Sequence, residues 1–190
     1  MRIAYLFVFS LIFLGCAKYS SVQTTTLAGF QFSMKSGLGY AERDAYSYSI
    51  FKNRVLIKEN GKEIINKTFE NPITSFCIDL SSELIAALSD GSIVAIDTKT
   101  KRVNEIDNFF EPIKLLKVSP DNNLIIVVSQ NNKIVFFNRT TKNISMGSYN
   151  ENIDDINLSD DAKKIYIRFE NKIIVLDFQD KKELEVISSD

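Results

Sequence analysis

Hydrophobic and polar residues follow one another along this chain in short blocks. Apolar runs of four to six residues, such as Leu124–Val128 and Ile134–Phe137, are separated by clusters of turn residues. One such cluster is Ser119–Asn123, in which Pro120 fixes φ and the Asp and Asn side chains can bond their own backbone. Short runs rich in Ile, Val and Phe and bounded by turn residues are typical of β-strands. The pattern therefore predicts an all-β chain.

These blocks repeat with a period of about 40 residues. Three stretches that begin at Ile73, Ile113 and Ile153 can be laid over one another, and a weaker copy begins at Asn53. The positions that recur within the units are Phe76, Leu116 and Ile156; Ile78, Val118 and Leu158; Val55, Val94, Val135 and Ile174; and Lys62, Lys101, Lys142 and Lys181. Three or four strands in about 40 residues match the period of a β-propeller blade. The sequence thus predicts a β-propeller-like array of about four blades.

Two turns in these units resemble those of WD40 repeats. Ser119–Asn123 (SPDNN) is similar to the SPDG turn of that family, and Ser89–Ile93 (SDGSI) is similar to its D-G-x-I turn. The stretch Val94–Val103 (VAIDTKTKRV) resembles the VIDTxTxKV segment of the YVTN and quinoprotein-like propellers. The resemblance covers residues 45–190 and implies a propeller that binds partners. No cofactor site is carried over, because the sequence has no Trp and no Trp-Asp or Gly-His dipeptide.

The units divide the chain into four expected blades with approximate bounds 27–70, 71–110, 111–150 and 151–190. The first blade is expected to take its early strands from Phe30–Met34 and Tyr46–Phe51. Four blades can form a compact closed ring, an open fan completed by another chain, or an incomplete, truncated version of a longer propeller. Without closure, the first and last blades would each present an apolar face and an unpaired edge, and self-association through open blade edges is then expected.

The N-terminus has the pattern of a secretory signal. Arg2 supplies positive charge, and the residues from Ile3 to Leu14 are apolar except for Ser10. Twelve helical residues span about 18 Å, which is less than the ~30 Å hydrocarbon layer of a membrane. A signal peptide is therefore favoured over a membrane-spanning helix.

The end of this segment, Leu14-Gly15-Cys16, resembles the lipobox of bacterial lipoproteins, in which the signal is cut before a Cys that carries a diacylglyceryl group. The resemblance implies a signal peptide over residues 1–15 and lipid attachment at Cys16, which anchors the chain to a membrane. Because inner-membrane retention usually needs Asp after the Cys, Ala17 implies the periplasmic face of the outer membrane. An ordinary signal peptide that contains a Cys is the alternative. Residues 16–26 are predicted to form a flexible tether.

Composition argues against several classes of function. The chain has 190 residues and no His, which removes the commonest general base and metal ligand. Its 23 basic and 24 acidic residues give a formal charge of −1, so it lacks the excess of positive charge that nucleic-acid binding needs. A zinc enzyme, a His-dependent hydrolase and a nucleic-acid binder are therefore not expected. If Cys16 is acylated, Cys77 is the only free thiol and is expected to be a buried strand residue.

Few residues suggest a chemical site. Asp154-Asp155 and Asp160-Asp161 have the chemistry for calcium or acid–base catalysis, but the second pair falls where the preceding unit has Pro120-Asp121, so turn roles are expected. Ser36–Gly39 lacks the rest of a phosphate-binding loop and is interpreted as a plain loop. The recurring Lys residues are expected to be solvated hairpin tips rather than a basic rim for anionic partners. No catalytic residue, metal site or cofactor is predicted.

These features predict a non-catalytic, lipid-anchored scaffold that binds an unidentified protein partner in the periplasm. Outer-membrane protein assembly and accessory roles for periplasmic respiratory enzymes are two settings with propellers of this kind. A carbohydrate-acting propeller enzyme that uses acidic residues, and a truncated remnant of a longer propeller, are the alternatives. A scaffold predicts an apolar or mixed patch on a rim or end blade, whereas an enzyme predicts aromatic and carboxylate side chains that converge at one channel mouth.

Overall fold

A computed structural model of the chain describes residues 24–26, 29–33, 39–159, 161 and 163–188. Every regular secondary-structure element in these residues is a β-strand, which confirms the prediction of an all-β chain. A helix long and apolar enough to cross a membrane is absent from the described part of the chain. The predicted signal peptide over residues 1–15 and the predicted lipid site Cys16 lie outside the described residues.

The described residues contain the following strands. In chain order they are β1 (Thr24–Thr26), β2 (Gly29–Ser33), β3 (Gly39–Arg43), β4 (Tyr46–Ile50), β5 (Arg54–Glu59), β6 (Lys62–Thr68), β7 (Ile73–Ile78), β8 (Leu84–Leu88), β9 (Ser92–Asp97), β10 (Arg102–Asn108), β11 (Ile113–Val118), β12 (Leu124–Ser129), β13 (Lys133–Asn138), β14 (Ile144–Ser148), β15 (Asp155–Leu158), β16 (Lys164–Arg168), β17 (Lys172–Asp177) and β18 (Glu183–Ser188).

These strands form four antiparallel sheets. The first sheet consists of β3–β6, the third of β11–β14 and the fourth of β15–β18, each in sequence order. The second sheet has the order β1-β2-β7-β8-β9-β10. Each of the three full sequence units that begin at Ile73, Ile113 and Ile153 therefore supplies four consecutive strands to one sheet.

The sheets pack face to face in the order of the chain. Tyr48 of the first sheet shares a hydrophobic cluster with Phe76 of the second. Ile85, on the opposite face of the second sheet, shares a cluster with Phe137 of the third. A further cluster joins the third and fourth sheets. Among the described residues, no hydrophobic cluster joins the first sheet to the fourth.

The place of each sheet in this stack explains its hydrophobic pattern. The second and third sheets are covered on both faces, so β8 and β12 are buried at every residue. The first sheet is covered on one face, and in β5 the buried residues Val55 and Ile57 alternate with others. The residues of β4 and β5 that lie on the opposite face are mostly polar: Ser47, Ser49, Arg54, Leu56 and Lys58. The outer face of the first sheet is therefore not the apolar face that the sequence predicts for an end blade of an array without closure.

Polar contacts also join neighbouring sheets near their turns. The buried hydroxyl of Tyr48 donates a hydrogen bond to the carbonyl oxygen of Ser82 at 2.8 Å, which ties the first sheet to the second. Arg139 Nη1 lies 2.9 Å from Glu83 Oε2 and ties the third sheet to the second. These bonds satisfy polar groups that packing removes from water, so they help to set how neighbouring sheets align.

The N-terminal strands lie in an unexpected place. The strand expected at Phe30–Met34 is present as β2, but it pairs with β7 of the second sheet, with Phe32 opposite Phe76. The residues of β1, which the sequence assigns to the flexible tether, pair with β2. The first sheet begins instead at β3, where an added Cβ on Gly39 would lie 2.6 Å from the Phe76 ring. Pairing with β2 satisfies backbone groups at the edge of β7 that would otherwise need water.

A recurring turn joins the last two strands of the second, third and fourth sheets. Its first residue accepts hydrogen bonds on Oδ1 from the backbone N–H groups two and three positions later, at 2.7–3.2 Å. Those first residues are Asp97, Asn138 and Asp177. Four positions later the chain takes a positive φ, of 60°, 61° and 63°, at Lys101, Lys142 and Lys181. Lys101, Lys142 and Lys181 thus mark a repeated turn, whereas Lys62, the first of the four repeated Lys residues, begins strand β6.

Candidate functional site

The acidic pairs singled out in the sequence have structural partners. Asp161 Oδ1 accepts hydrogen bonds from the Ser159 hydroxyl at 2.7 Å and from the Lys163 backbone N–H at 3.1 Å, as expected for a turn. Asp155 forms an ion pair with Lys117. Within the described part of the chain, no group of three or more His, Cys, Asp or Glu side chains could hold a metal. Asp160, and residues 36–38 of the predicted loop, lie outside the described residues.

The repeated Lys side chains lie over aromatic rings at two of the four positions. Lys142 Nζ lies 5.4 Å from the centre of the Phe137 ring. Lys181 Nζ lies 4.8 Å from the ring centre of Phe178 and 5.6 Å from that of Phe136 in the third sheet. Cation–π contacts at such distances stabilise the turns. This arrangement fits a structural role for these two Lys residues.

A buried ion pair and a buried thiol lie on the first strands of three consecutive units: Cys77 on β7, Lys117 on β11 and Asp155 on β15. Lys117 Nζ lies 3.6 Å from Asp155 Oδ1, and the two side chains are 6% and 17% exposed. Burial lowers the pKa of Lys117, an effect that the nearby Asp155 carboxylate opposes. Burial raises the pKa of the Cys77 thiol to about 12, so this free cysteine is a poor nucleophile. The group therefore holds the strands together and offers no open reaction site.

A small cavity of about 80 Å³ lies between the third sheet and the loop that joins β10 to β11. Five of its lining side chains are apolar and three are polar: Phe109, Ile113, Val127, Val135 and Met146, with Glu111, Ser129 and Lys133. Met146 is 73% exposed, so the cavity reaches the protein surface. An engineered apolar cavity of about 150 Å³ holds one benzene molecule, so this volume suits a small apolar side chain rather than a whole metabolite. We call this cavity the Phe110 pocket, because Phe110 lies in the chain between the lining residues Phe109 and Glu111, although it does not itself line the cavity.

Phe110 itself stands out from its surroundings. It is 85% exposed and has a φ of +56°, a conformation that bulky residues rarely adopt. The loop is held in this shape by two hydrogen bonds, from the Phe110 N–H to Asn108 Oδ1 (2.7 Å) and from the Phe109 N–H to the Gly91 carbonyl oxygen (3.0 Å). Strained backbone held in place by its surroundings is typical of binding and catalytic sites. The fold thus presents an aromatic side chain to solvent at a cost in stability.

Two close contacts hold the loop that carries Phe110. The Phe109 ring packs edge-on against Phe137, with ring centres 6.2 Å apart. Gly91 approaches the loop so closely that an added Cβ would lie 2.7 Å from the backbone N atoms of Phe110 and Glu111. These contacts join the loop to β13 of the third sheet and to the turn between β8 and β9 of the second. The position of Phe110 relative to the pocket is therefore set by the packing of the second sheet on the third.

An ion pair lies at the side of the pocket. Glu111 Oε1 accepts a hydrogen bond from Lys133 Nζ, and this contact holds the pKa of the Glu111 carboxyl below its ordinary value. The other oxygen, Oε2, is buried. Hydrogen bonds from the Ser129 and Asn131 side chains also lower the pKa of this carboxyl. A carboxylate oxygen in this position can accept a hydrogen bond from an N–H group of a bound partner. The pocket therefore combines apolar walls with one acceptor.

The motifs of the sequence did not indicate this site, although the repeats contain a signal for it. Phe69, Phe109 and Tyr149 are equivalent aromatic residues 40 positions apart, and they contact the cores of the stack. The next position of each unit is exposed and holds Glu70, Phe110 and Asn150. A large apolar residue where the other units have polar ones indicates a function specific to this unit.

Comparison with known proteins adds no family assignment. No protein-family model matches the chain, and no curated protein matches it.

Proposed function

We propose that this chain is a lipid-anchored protein-interaction scaffold of the bacterial cell envelope, and that it docks a partner protein at the Phe110 pocket. In this proposal the four stacked sheets act as the blades of a β-propeller-like array. The lipid on Cys16 attaches the array to the periplasmic face of the outer membrane. Tethering to a membrane raises the effective concentration of the array around membrane-bound partners.

The observation that carries the proposal is the exposure of Phe110 between two residues, Phe109 and Glu111, that line a largely apolar pocket. A residue 85% exposed and held at φ +56° destabilises the free protein. Binding hot spots are commonly aromatic side chains beside pockets that lose their water on association. The size of the pocket, about 80 Å³, suits one apolar side chain from the partner. Both features favour a macromolecular partner over a small ligand.

The surroundings of the pocket extend this surface. Met146 and Ile144 of β14 are 73% and 48% exposed. Together with Phe110 they form a mixed patch whose polar part is the Glu111–Lys133 pair. Exposed apolar residues next to polar ones are typical of protein-binding surfaces. Envelope protein assembly and accessory service to a periplasmic respiratory enzyme are the two settings that we propose for this partner.

A crosslinked pull-down of the intact lipoprotein from membranes tests this function. The chain offers a matched control, because Phe51 is also an exposed aromatic residue (39%) but belongs to the first sheet, away from the pocket. We expect Phe110→Asp to reduce recovery of the partner by about tenfold, the effect of losing a contact worth about 1.4 kcal/mol. Phe51→Asp should leave recovery unchanged. Equal recovery from the wild type and Phe110→Asp would contradict the proposal.

A further inference from the structure

The outer strand of the third sheet, β14, differs from the outer strands of the other sheets. β6, β10, β14 and β18 each end a sheet and pair on one side only. Such an edge exposes backbone N–H and C=O groups that can pair with another chain. Proteins commonly protect their edges with charged side chains and β-bulges. The presence or absence of these protections therefore indicates which edge is available for pairing.

Three of the four outer strands carry both protections. The register of β6, β10 and β18 shifts by one residue, which leaves Ile64, Ile106 and Leu184 as bulges. The same strands carry charged side chains: Lys62, Glu63 and Lys67; Arg102, Glu105 and Asp107; Glu183 and Glu185. These features disfavour regular pairing with another strand.

β14 has neither protection. Its sequence, ISMGS, carries no charge, and it pairs with β13 in an unbroken register from Lys133↔Ser148 to Phe137↔Ile144. All five of its residues are exposed. The positions opposite the repeated Val55, Val94, Val135 and Ile174 are Lys67, Glu105, Met146 and Val186, so β14 has Met where two other sheets have a charge. This edge is straight, uncharged and partly apolar.

We propose that β14 pairs with the β14 strand of a second copy of this chain as two antiparallel strands. The contact is a two-fold symmetric dimer in which the third sheets of both copies join into one sheet. Pairing centred on Met146 places Ile144 of each copy opposite Ser148 of the other. The dimer edge and the proposed docking site share Met146, which lines the Phe110 pocket. The inference itself uses the backbone edge of β14, and crosslinks between two copies report this pairing whether or not a partner docks at the pocket.

The residues that flank β14 permit a second copy in this orientation. Lys142 precedes the strand, and Glu151, which pairs with Lys172 of its own chain, follows it. In an antiparallel pair centred on Met146, Lys142 of one copy lies opposite the uncharged Asn150 of the other and beside its Glu151–Lys172 pair, so no excess of like charge meets at either end. Opposite charges across strands stabilise a pair and like charges destabilise it. The uncharged centre adds no repulsion, whereas self-pairing of β18 would bring four Glu side chains together.

Disulfide crosslinking of the full-length lipoprotein in membranes tests the dimer. The two-fold axis brings Met146 of each copy opposite its own equivalent, so Met146→Cys should form a disulfide-linked dimer under mild oxidation. Val186→Cys is the matched control, because it occupies the equivalent place on the bulged strand β18. We expect at least about tenfold more dimer from Met146→Cys, the margin that a 1.4 kcal/mol preference produces. Equal crosslinking of the two variants would overturn the proposal.

The orientation is tested by mixing two variants. Ile144→Cys and Ser148→Cys should crosslink to each other when expressed together, and each should crosslink weakly when expressed alone. Strong crosslinking of Ile144→Cys alone would indicate parallel pairing and overturn the proposal.

The mass of the detergent-solubilised lipoprotein supplies a test without cysteines. It should be that of a dimer for the wild type and Val186→Lys, and that of a monomer for Met146→Lys; a monomeric wild type would also overturn the proposal.

Discussion

Lys117 and Asp155 form an ion pair between β11 of the third sheet and β15 of the fourth, with 3.6 Å between Nζ and Oδ1. Asp155 also accepts hydrogen bonds from its neighbours, the Ile156 N–H at 2.9 Å and the Asn157 side-chain amide at 3.1 Å. Because both charges are largely out of water, each depends on the other to offset its desolvation. The pair therefore controls how the first strands of these two sheets align.

Removal of one member of this pair should be more damaging than removal of both. We expect Lys117→Met to lower the free energy of unfolding by about 3 kcal/mol, because it leaves the Asp155 carboxylate without its buried counter-charge. The double variant Lys117→Met, Asp155→Asn should recover at least about half of that loss. Urea denaturation of the four proteins of this double-mutant cycle supplies the measurement. Additive losses would show that the two side chains do not interact.

Phe110 should lower the free energy of unfolding of this protein and strengthen its binding to the partner. Replacement by Gly removes the strain of a side chain at φ +56°, which we expect to raise the free energy of unfolding by about 0.5–1 kcal/mol. Phe110→Ala keeps a Cβ and should show no such gain. Both variants should lose partner recovery. Denaturation curves test the first part, and a Phe110→Gly protein less stable than Phe110→Ala would contradict the assignment of strain.

Two glycines with positive φ provide a matched test of the loop under Phe110. Gly61 (φ +80°) has open space around it, whereas an added Cβ on Gly91 (φ +92°) would lie 2.7 Å from backbone atoms of Phe110 and Glu111. We expect Gly61→Ala to cost about 1 kcal/mol, from conformational strain alone. Gly91→Ala should cost at least about 2 kcal/mol, since the backbone must also move. Equal losses of stability in thermal or chemical denaturation would show that Gly91 does not lie this close to the backbone of Phe110 and Glu111.

Cys77 should be unreactive in the folded protein. Burial raises the pKa of its thiol to about 12 from its ordinary value of 9.0, so the native thiol stays protonated at pH 9. We expect no alkylation by iodoacetamide at pH 9 in the native lipoprotein and alkylation of one thiol after denaturation. Two alkylated thiols after denaturation would show that Cys16 carries no lipid on its sulfur.

The same pKa shift makes stability depend on pH. Between about pH 9 and pH 12 the unfolded thiol loses its proton and the folded one keeps it, so the unfolded state binds fewer protons and stability falls as pH rises. Below pH 9 the thiol contributes no pH dependence. Cys77→Ala should therefore show a shallower loss of stability above pH 9 than the wild type. Parallel curves for the two proteins would contradict this role.

Local patterns in the sequence predicted the strands of the later units, because each of these strands is determined by residues close to one another in the chain. Apolar runs such as Leu124–Val128 and turns such as Ser119–Asn123 depend on residues a few positions apart. The 40-residue period then reflects a turn that recurs at Asp97, Asn138 and Asp177. These features are local, so the sequence contains them directly.

The place of β2 and the Phe110 pocket depend on contacts between distant parts of the chain. The run Phe30–Met34 predicts a strand but does not specify that its partner is β7 rather than a strand of the first sheet. Ala41 is the one buried residue among the five residues of β3, so the hydrophobic pattern of this strand is weak. The pocket exists only where residues of β11–β14 meet the loop after β10, and no short pattern specifies that meeting.

Site-specific photo-crosslinking tests the docking of a partner at the Phe110 pocket most directly. A photoreactive phenylalanine analogue would replace Phe110 in the full-length lipoprotein in intact cells, with the same analogue at Phe51 as the control. We expect an adduct with a different protein from position 110 and little or none from position 51. An adduct with a second copy alone, or equal labelling from both positions, would contradict the proposed docking site.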